Sequence, residues 1–83
     1  MPTVQRIGRT DTPVLVSRVW FGEDMLHALL SDGREIAIPL EWYPRLREAT
    51  PQQRENWGLI GRGIGVHWED VDEDISVSGL LRH

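Results

Sequence analysis

The sequence predicts an α+β fold, with a small antiparallel sheet (a strand, a hairpin and a later strand), two short helices and a C-terminal helical turn. An Asp32-Gly33 turn separates two apolar segments, as in a β-hairpin. Helix-start signals at Pro44 and Thr50 come after these strands rather than between them, which favours an antiparallel sheet. A chain of 83 residues has room for one modest core. We therefore expect a single domain over residues 14–81.

The N-terminal half is expected to supply the first strands. Residues 1–13 are polar and contain proline and glycine, which predicts a loose lead-in. Residues 14–21 are rich in β-branched and aromatic side chains, which are typical of a strand. Their alternation is poor, so the buried face is not determined. Residues 25–40 follow as the hairpin.

Two loop lengths are possible for this hairpin. A two-residue Asp-Gly loop would pair Leu30 with Glu35 and mix charge into the apolar face. A three-residue loop, Ser31-Asp32-Gly33, aligns Ala28 with Ile36 instead. We predict the three-residue loop, with a bulge and with the glycine in the left-handed conformation.

Proline positions predict the first helix. Pro44 is tolerated in the first turn of a helix, so residues 41–49 are expected to be helical. Trp42, Tyr43 and Leu46 have the spacing to face the sheet.

A capping box predicts the second helix. Thr50 is the N-cap and Gln53 the N3 residue, with a proline at N1 between them. This helix is expected to run to about Trp57 and to stop at Gly58. A glycine-punctuated loop over residues 59–63 would follow.

The C-terminal segment begins as a strand, with Ile64, Val66 and Trp68 expected on one face. Residues 69–74 then hold five acidic residues of the thirteen in the chain. After this acidic turn, Ser76 can cap a final helical turn.

The composition excludes several classes of function. There is no cysteine, which removes disulfides and thiolate metal sites, and all nine basic residues are arginine, which removes lysine chemistry. The net charge is −4 without a concentrated basic face, so we expect no direct nucleic-acid binding. No apolar run approaches the roughly 18 residues of a membrane span. We expect a soluble, cytoplasmic chain without a signal peptide.

The acidic turn has three interpretations. Its D-x-D-x-D spacing opens like a calcium-binding loop, but Ile75 and Leu81 stand where that loop needs glycine and glutamate. A solvated turn whose carboxylates cap the terminal helix is the favoured interpretation. A docking site for an arginine-bearing partner is the second. The third is an improvised divalent-cation site formed by His67, Glu69, Asp70 or Asp72.

No catalytic set is evident. The serines and histidines match no recognised nucleophile arrangement. His67-Trp68-Glu69 has the H-x-E spacing of zinc deaminases, but that chemistry needs cysteine ligands. The glycine-rich segment 58–65 precedes a strand rather than a helix, so it does not predict a phosphate loop. We expect no catalytic residues, no cofactor and no metal.

The four tryptophans are many for this length. Most are expected in the core, since each buries on the order of 200 Å². Trp20 is instead a candidate anchor for an interface. The predicted hairpin register places His27 on the face opposite the apolar one, so His27 is expected at the surface or at an interface.

Three linked sequence blocks point to a family. The first is Leu30-Ser31-Asp32-Gly33-Arg34 with Ile38-Pro39-Leu40. The second is Trp42-Tyr43-Pro44-Arg45-Leu46, followed by Ala49-Thr50-Pro51 and Trp57-Gly58-Leu59-Ile60-Gly61. The third runs from Gly65-Val66-His67-Trp68 through Asp72-Glu73-Asp74-Ile75-Ser76-Val77 to Leu80-Leu81. Over residues 14–81 the chain thus resembles the bacterial domain of unknown function 2442 family. It departs from the family at Glu69, where proline is frequent, and at Ser78, where glutamate is frequent.

The resemblance implies a small α+β fold without an established activity or agreed catalytic residues. Some relatives are fused to a helix-turn-helix domain, which this sequence lacks. Others are encoded beside another small protein, which suggests a toxin–antitoxin-like pair.

We therefore expect a non-catalytic protein-interaction module that is homodimeric and binds a protein partner, with the antitoxin-like half of a pair as one form. The alternative is a small enzyme or ligand-binding domain whose site is shared between subunits near Trp42, Tyr43, Arg45, His67 and Trp68. The candidate interaction surface comprises Trp20, His27, Trp42, Tyr43, Arg45, His67, Glu69, Asp70, Asp72 and Asp74.

Overall fold

A computed structural model describes residues 13–81. Of the expected lead-in over residues 1–13, all but Pro13 lies outside the described residues. Along these residues, three strands are followed by a 3₁₀ turn and two short helices, and then by three more strands and a final helix. The elements are β1 (Val16–Gly22), β2 (Met25–Leu30), β3 (Glu35–Pro39), a 3₁₀ turn (Leu40–Trp42), α1 (Pro44–Arg47), α2 (Pro51–Glu55), β4 (Trp57–Ile60), β5 (Gly65–Trp68), β6 (Glu73–Ser76) and α3 (Val77–Leu81).

The strands form two sheets, so the expectation of one sheet is wrong. Strands β1, β2 and β3 form a three-stranded antiparallel sheet, which we call sheet A. Strands β4, β5 and β6 form a second one, sheet B. The expected later strand therefore pairs with two strands that the sequence did not reveal. The general assignment, strands with a few short helices in an α+β arrangement, stands.

The predicted hairpin register is confirmed. Ala28 is the partner of Ile36 across β2 and β3. The loop closes where the Leu30 N–H donates to the Arg34 carbonyl at 2.8 Å, and Gly33 has a φ of 95°. A left-handed glycine at this position is what a three-residue loop requires.

A bulge explains the poor alternation of the first strand. Val16 pairs with Leu30 and Arg18 pairs with Leu29, so Ser17 is an extra residue in β1. Val16 and Val19 both face the core as a result, although they are three positions apart.

The first predicted helix is divided into the 3₁₀ turn and α1. Leu46 is completely buried, and Tyr43 is half-buried against the core. Trp42 is 48% exposed, so the prediction that it packs on the sheet is wrong. The chain changes direction at Tyr43, whose φ and ψ of −132° and 79° are not helical, and Trp42 therefore lies outside the buried side of α1.

The second helix has the predicted capping box but ends early. The Thr50 hydroxyl accepts from the Gln53 N–H at 3.1 Å, and the Gln53 side chain accepts from the Thr50 N–H at 2.9 Å. The helix stops at Glu55, and Trp57 begins β4 instead of ending α2. Pairing of Trp57 with Trp68 across β4 and β5 fixes this extended conformation.

The glycine-rich segment is the turn between β4 and β5 rather than a loop from residue 59. Gly61 and Gly63 have positive φ values of 59° and 121°. Ile64 lies in this turn and is 57% exposed, so the prediction that it shares one strand face with Val66 and Trp68 is wrong. Val66 and Trp68 are fully buried as expected.

The C-terminal segment contains a strand that was not predicted. Glu73–Ser76 pairs with β5 as β6, so the acidic residues are divided between a turn and a strand. The Ser76 hydroxyl accepts from the Gly79 N–H at 3.0 Å at the start of α3. The terminal helix is thus capped by the predicted serine, and the idea that carboxylates cap it is wrong.

The core unites the two sheets. The Phe21 ring of sheet A meets the Trp68 ring of sheet B edge-on, with centroids 6.1 Å apart. The Trp68 indole N–H donates to the Arg54 carbonyl at 3.0 Å, so the buried ring is also satisfied as a donor. A backbone bond adds to the junction, from the Val16 N–H to the Gly63 carbonyl at 2.8 Å.

Candidate functional site

The candidate interaction residues divide into separate groups rather than one surface. Trp20 and His27 lie on sheet A, on the side opposite the core. Trp42 lines a groove beside the edge strand β3. The third group surrounds the acidic turn and comprises Tyr43, Arg45, His67, Glu69, Asp70, Asp72 and Asp74.

The first group belongs to a larger apolar surface on sheet A. In β2, Leu26, Ala28 and Leu30 are buried, whereas Met25, His27 and Leu29 alternate with them and are only partly buried. The strand partners of these residues share their side of the sheet because side chains directly opposite each other point the same way. We call this side the outer face, and it is formed by Arg18, Trp20, Met25, His27, Leu29, Glu35 and Ala37.

Aromatic and charged groups are stacked on the outer face. Trp20 and His27 are direct cross-strand partners, and their rings lie parallel, at 6°, with centroids 5.4 Å apart. The Arg18 guanidinium carbon lies 4.4 Å from the Trp20 ring centroid, which is a cation–π distance. These contacts hold the indole in place while leaving it partly exposed, so little side-chain freedom remains for a partner to remove.

The outer face is arranged in rows that cross the sheet. One row runs from Arg18 through Leu29 to Glu35. The next has Trp20 on β1, His27 on β2 and Ala37 on β3. The third joins Gly22, Met25 and Pro39. The two edges of the outer face therefore differ in charge and in size. Arg18 on β1 shares a row with Glu35 on β3, and Trp20 on β1 shares a row with Ala37 on β3.

The acidic turn is held by bonds from neighbouring elements. Arg45 of α1 donates from its guanidinium to the Asp72 carbonyl at 2.7 Å, and the Asn56 amide donates to the Asp70 carboxylate at 3.0 Å. Asp72 has a φ of 53°, in the left-handed region that aspartate tolerates better than most residues. The Glu69, Asp70 and Asp72 side chains are exposed, as the solvated-turn interpretation requires.

In the described part of the chain, the acidic segment forms one titratable pair across two strands, His67 with Asp74. The two are direct partners in β5 and β6, and the His67 Nδ1 is hydrogen-bonded to an Asp74 carboxylate oxygen. That bond raises the pKa of His67 above its ordinary value of 6.5, and the charges of Asp74, Glu69 and Asp72 raise this pKa further, while desolvation opposes them. Burial, with a contribution from Glu73, raises the pKa of Tyr43.

The acidic residues are not grouped as a metal-ion site in the described part of the chain, and one residue of the alternative site between subunits is not at the surface. Within residues 13–81, no three histidine, aspartate or glutamate side chains are grouped so that they could hold a metal ion. Trp68, proposed to line a site between subunits, is fully buried. His67 lies on the opposite side of sheet B from Trp68, since the side chains of neighbouring strand residues point to opposite sides of the sheet.

Two surface grooves are present among the described residues. The larger, of about 420 Å³, lies between β3 and α3 and is lined by side chains that include Ile36, Trp42 and Leu80. The smaller, of about 340 Å³, is lined by Val14, Ile64, Val77, Ser78 and Leu81. Neither holds a histidine or a carboxylate, so neither offers acid–base chemistry.

Sequence reasoning missed five outer-face residues. The bulge at Ser17 disguised the side on which Arg18 lies, and it left the apolar face of β1 undetermined. Met25 and Leu29 looked like ordinary strand residues. The signal that could have found them is that β2 is apolar on both of its sides, which an antiparallel strand with one solvated face rarely shows. Glu35 and Ala37 then follow from the hairpin register.

No helix in the part of the chain that the structure describes has the length and apolar character needed to cross a membrane.

Comparisons with known proteins agree with the fold. The sequence model of a family described as "Protein of unknown function (DUF2442)" matches residues 16–83. A crystal structure at 2.75 Å resolution of a protein of unknown function from Rhodospirillum rubrum is similar to this chain, with a TM-score of 0.72 and 25% sequence identity. The similarity covers 86% of this chain and 88% of that chain. The curated proteins include no match.

Proposed function

The chain belongs to the DUF2442 family of proteins of unknown function, and we propose that it is a non-catalytic protein-interaction module whose contact surface is the outer face. The observation that supports this most directly is the pair of stacked rings, Trp20 and His27, on the largely apolar side of sheet A that lies opposite the core.

The composition of the outer face is that of a binding surface. Antiparallel sheets with one solvated side ordinarily place polar residues there. Central β2 instead presents Met25, His27 and Leu29, and Trp20 lies beside them. Tryptophan and arginine are the residues most enriched among those that dominate binding energy. The apolar centre with Arg18 and Glu35 at its margins matches the usual core and rim of an interface.

Site-directed photo-crosslinking tests the proposal. A photo-crosslinking amino acid at Leu29 would react with any protein chain held against the outer face. The matched control carries the same amino acid at Ile64, which is exposed but lies in the β4–β5 turn and not on the outer face. We expect adducts in cells from position 29, of twice the chain mass or of another mass, and few from position 64. Equal yields at both positions, or none at position 29, would contradict the proposal.

The antitoxin-like role is the form of this proposal in which the partner is a different chain. Co-expression with the small protein encoded beside the gene would then produce a stable complex and relieve any growth defect that this small protein causes. Trp20→Ala should weaken that complex by about 2 kcal/mol or more if Trp20 is an anchor. Co-purification at known concentrations measures this. Absence of both a complex and a growth effect would eliminate the antitoxin-like form.

A further inference from the structure

We propose that the outer face binds the outer face of a second copy of this chain, related by a two-fold axis that runs parallel to β2. This inference rests on the proposed function and names the partner of the same surface. The inference depends on how the residues of the outer face are distributed between β1 and β3, the two edge strands of sheet A.

A two-fold axis along the central strand determines which residues meet. Rotation about an axis that lies between two stacked sheets and runs along β2 brings each β1 over the β3 of the other copy. Each β2 lies over its own counterpart. Residues of one row therefore face the same row of the second copy, with the edges exchanged. Aligned packing of this kind is common for two antiparallel sheets, with an angle of about 30° from their twist.

The charges of the outer face are complementary to themselves in this arrangement. Arg18 on β1 would face Glu35 on β3 of the second copy, and the symmetry would form this ion pair twice. Within one chain the two residues are separated by Leu29 on β2. Strands lie about 4.8 Å apart, so Arg18 and Glu35 are about 10 Å apart across the sheet and leave their charges available to a partner.

The volumes are complementary in the same arrangement. Trp20 would face Ala37 of the second copy, so the largest side chain of the outer face meets the smallest. Met25, His27 and Leu29 lie on the axis strand and would each meet their own counterparts, so two apolar contacts would flank a contact between the two imidazoles. Two large residues at these edge positions would clash with their counterparts in the second copy, and two small ones would leave a gap.

The charge balance favours a second copy over a strongly charged partner. The outer face carries one arginine and one glutamate, so it has no net charge when His27 is neutral. A basic or acidic partner would gain attraction at one edge and repulsion at the other. A copy of the same face gains attraction at both.

The size of the surface predicts a weak dimer. Three strands and about five residues of each give a patch of roughly 15 by 17 Å. Two such patches cover less than the roughly 1,200 Å² of a standard specific interface, so we expect a transient, concentration-dependent dimer with a dissociation constant of about 0.1 mM.

Charge reversal tests the pairing. Arg18→Glu and Glu35→Arg would each make both symmetry-related contacts repulsive, so each variant should dimerise about tenfold more weakly at low salt. An equimolar mixture of the two should dimerise like the wild type, because an Arg18→Glu chain facing a Glu35→Arg chain has opposite charges at both contacts. Sedimentation equilibrium measures the association of each variant and of the mixture. Arg62→Glu, in the β4–β5 turn, is the control with the same net charge as Arg18→Glu.

The outcomes separate this inference from the proposed function. Restored dimerisation in the mixture supports both, and it also shows that each variant folds, since an unfolded chain cannot restore it. A wild type that is monomeric at millimolar concentration, or a dimer insensitive to both reversals, overturns the second copy in this orientation. If Leu29 photo-adducts of another mass persist in that case, the outer face still binds protein. If they are absent as well, the proposed function fails too.

Discussion

At the scale of single residues, His67 and Asp74 form the most clearly perturbed pair. Both are at the surface, with 40% and 66% of their side chains exposed, and they are joined as cross-strand partners. Their contact stabilises the imidazolium form, because the Asp74 carboxylate is a charged acceptor. The neighbouring acidic turn adds to this effect through Glu69 and Asp72.

Asp74→Asn should lower the pKa of His67, since the hydrogen bond to Asp74 is the main cause of its elevation. A histidine whose folded pKa is raised above 6.5 contributes stability that is fully present below pH 6.5 and is lost as pH rises through the folded pKa. The variant should therefore lose more thermal stability, relative to the wild type, at about pH 5.5 than at about pH 8.5. NMR titration of the imidazole resonances and melting curves at the two pH values provide the measurement. An unchanged His67 titration would contradict the structure.

At the scale of elements, side chains cap helices that are too short to be stable on their own. The four residues of α1 end where the Arg54 guanidinium donates to the carbonyls of Leu46 and Arg47, at 2.9 and 2.8 Å. The five residues of α2 begin at the Thr50–Gln53 capping box. Because Arg54 lies in α2, the box also positions the residue that caps α1. The two helices are thus stabilised as a unit.

Thr50→Ala should lower the free energy of unfolding by about 1 kcal/mol, because it removes the acceptor for the Gln53 N–H. Thr50→Ser keeps that acceptor and is the matched control, with an expected change of a few tenths of a kcal/mol. Urea denaturation of both variants measures the difference. If serine and alanine destabilise the chain equally, the hydroxyl does not act as the cap.

The elements that the sequence predicted are those determined by local chemistry. The Asp32-Gly33 loop and the Thr50 cap each involve groups a few residues apart, so their spacing could be read directly. Strands β4 and β6 could not be predicted in this way. Trp57–Ile60 contains a glycine and Glu73–Ser76 begins with two acidic residues, which are depleted in strands. Both are extended because they pair with β5.

The candidate site was predicted only in part, for a related reason. His27 lies on the side of β2 opposite the buried one, as predicted, but its pairing with Trp20 depends on the register of β1 against β2. The bulge at Ser17 sets this register, and no local sequence pattern predicts the bulge. The other candidates lie in separate places because sheet B is distinct from sheet A.

At the scale of the whole molecule, a close backbone contact joins the two sheets. Gly63 of the β4–β5 turn lies so near β1 that a Cβ atom built on it would be 2.4 Å from the Val16 carbonyl oxygen. The Gly63 carbonyl also accepts from the Val16 N–H. The absence of a side chain at this position lets sheet B approach sheet A.

Gly63→Ala should destabilise the chain by about 3 kcal/mol or more. Alanine would be strained at the positive φ of this position, and its Cβ would also clash with the backbone of β1. Gly61→Ala is the matched control, since Gly61 has a positive φ of 59° but its nearest side-chain neighbour would be 3.8 Å from the new Cβ. For this control we expect about 1–2 kcal/mol. Chemical denaturation at low protein concentration compares them. Equal losses would show that strain alone, and not contact between the sheets, explains the need for glycine at residue 63.

Every strand pairing in the described part of the chain joins consecutive strands, and each sheet comes from one continuous segment. Pairings between near neighbours in the sequence close short loops and accelerate folding. On the ribosome, residues 16–39 can complete their sheet while the segment that forms sheet B is still being synthesised. The nascent chain then displays Trp20 and His27 before its own core is closed. For the dimer proposed above, neighbouring ribosomes on one message are therefore where two copies of this surface can first meet.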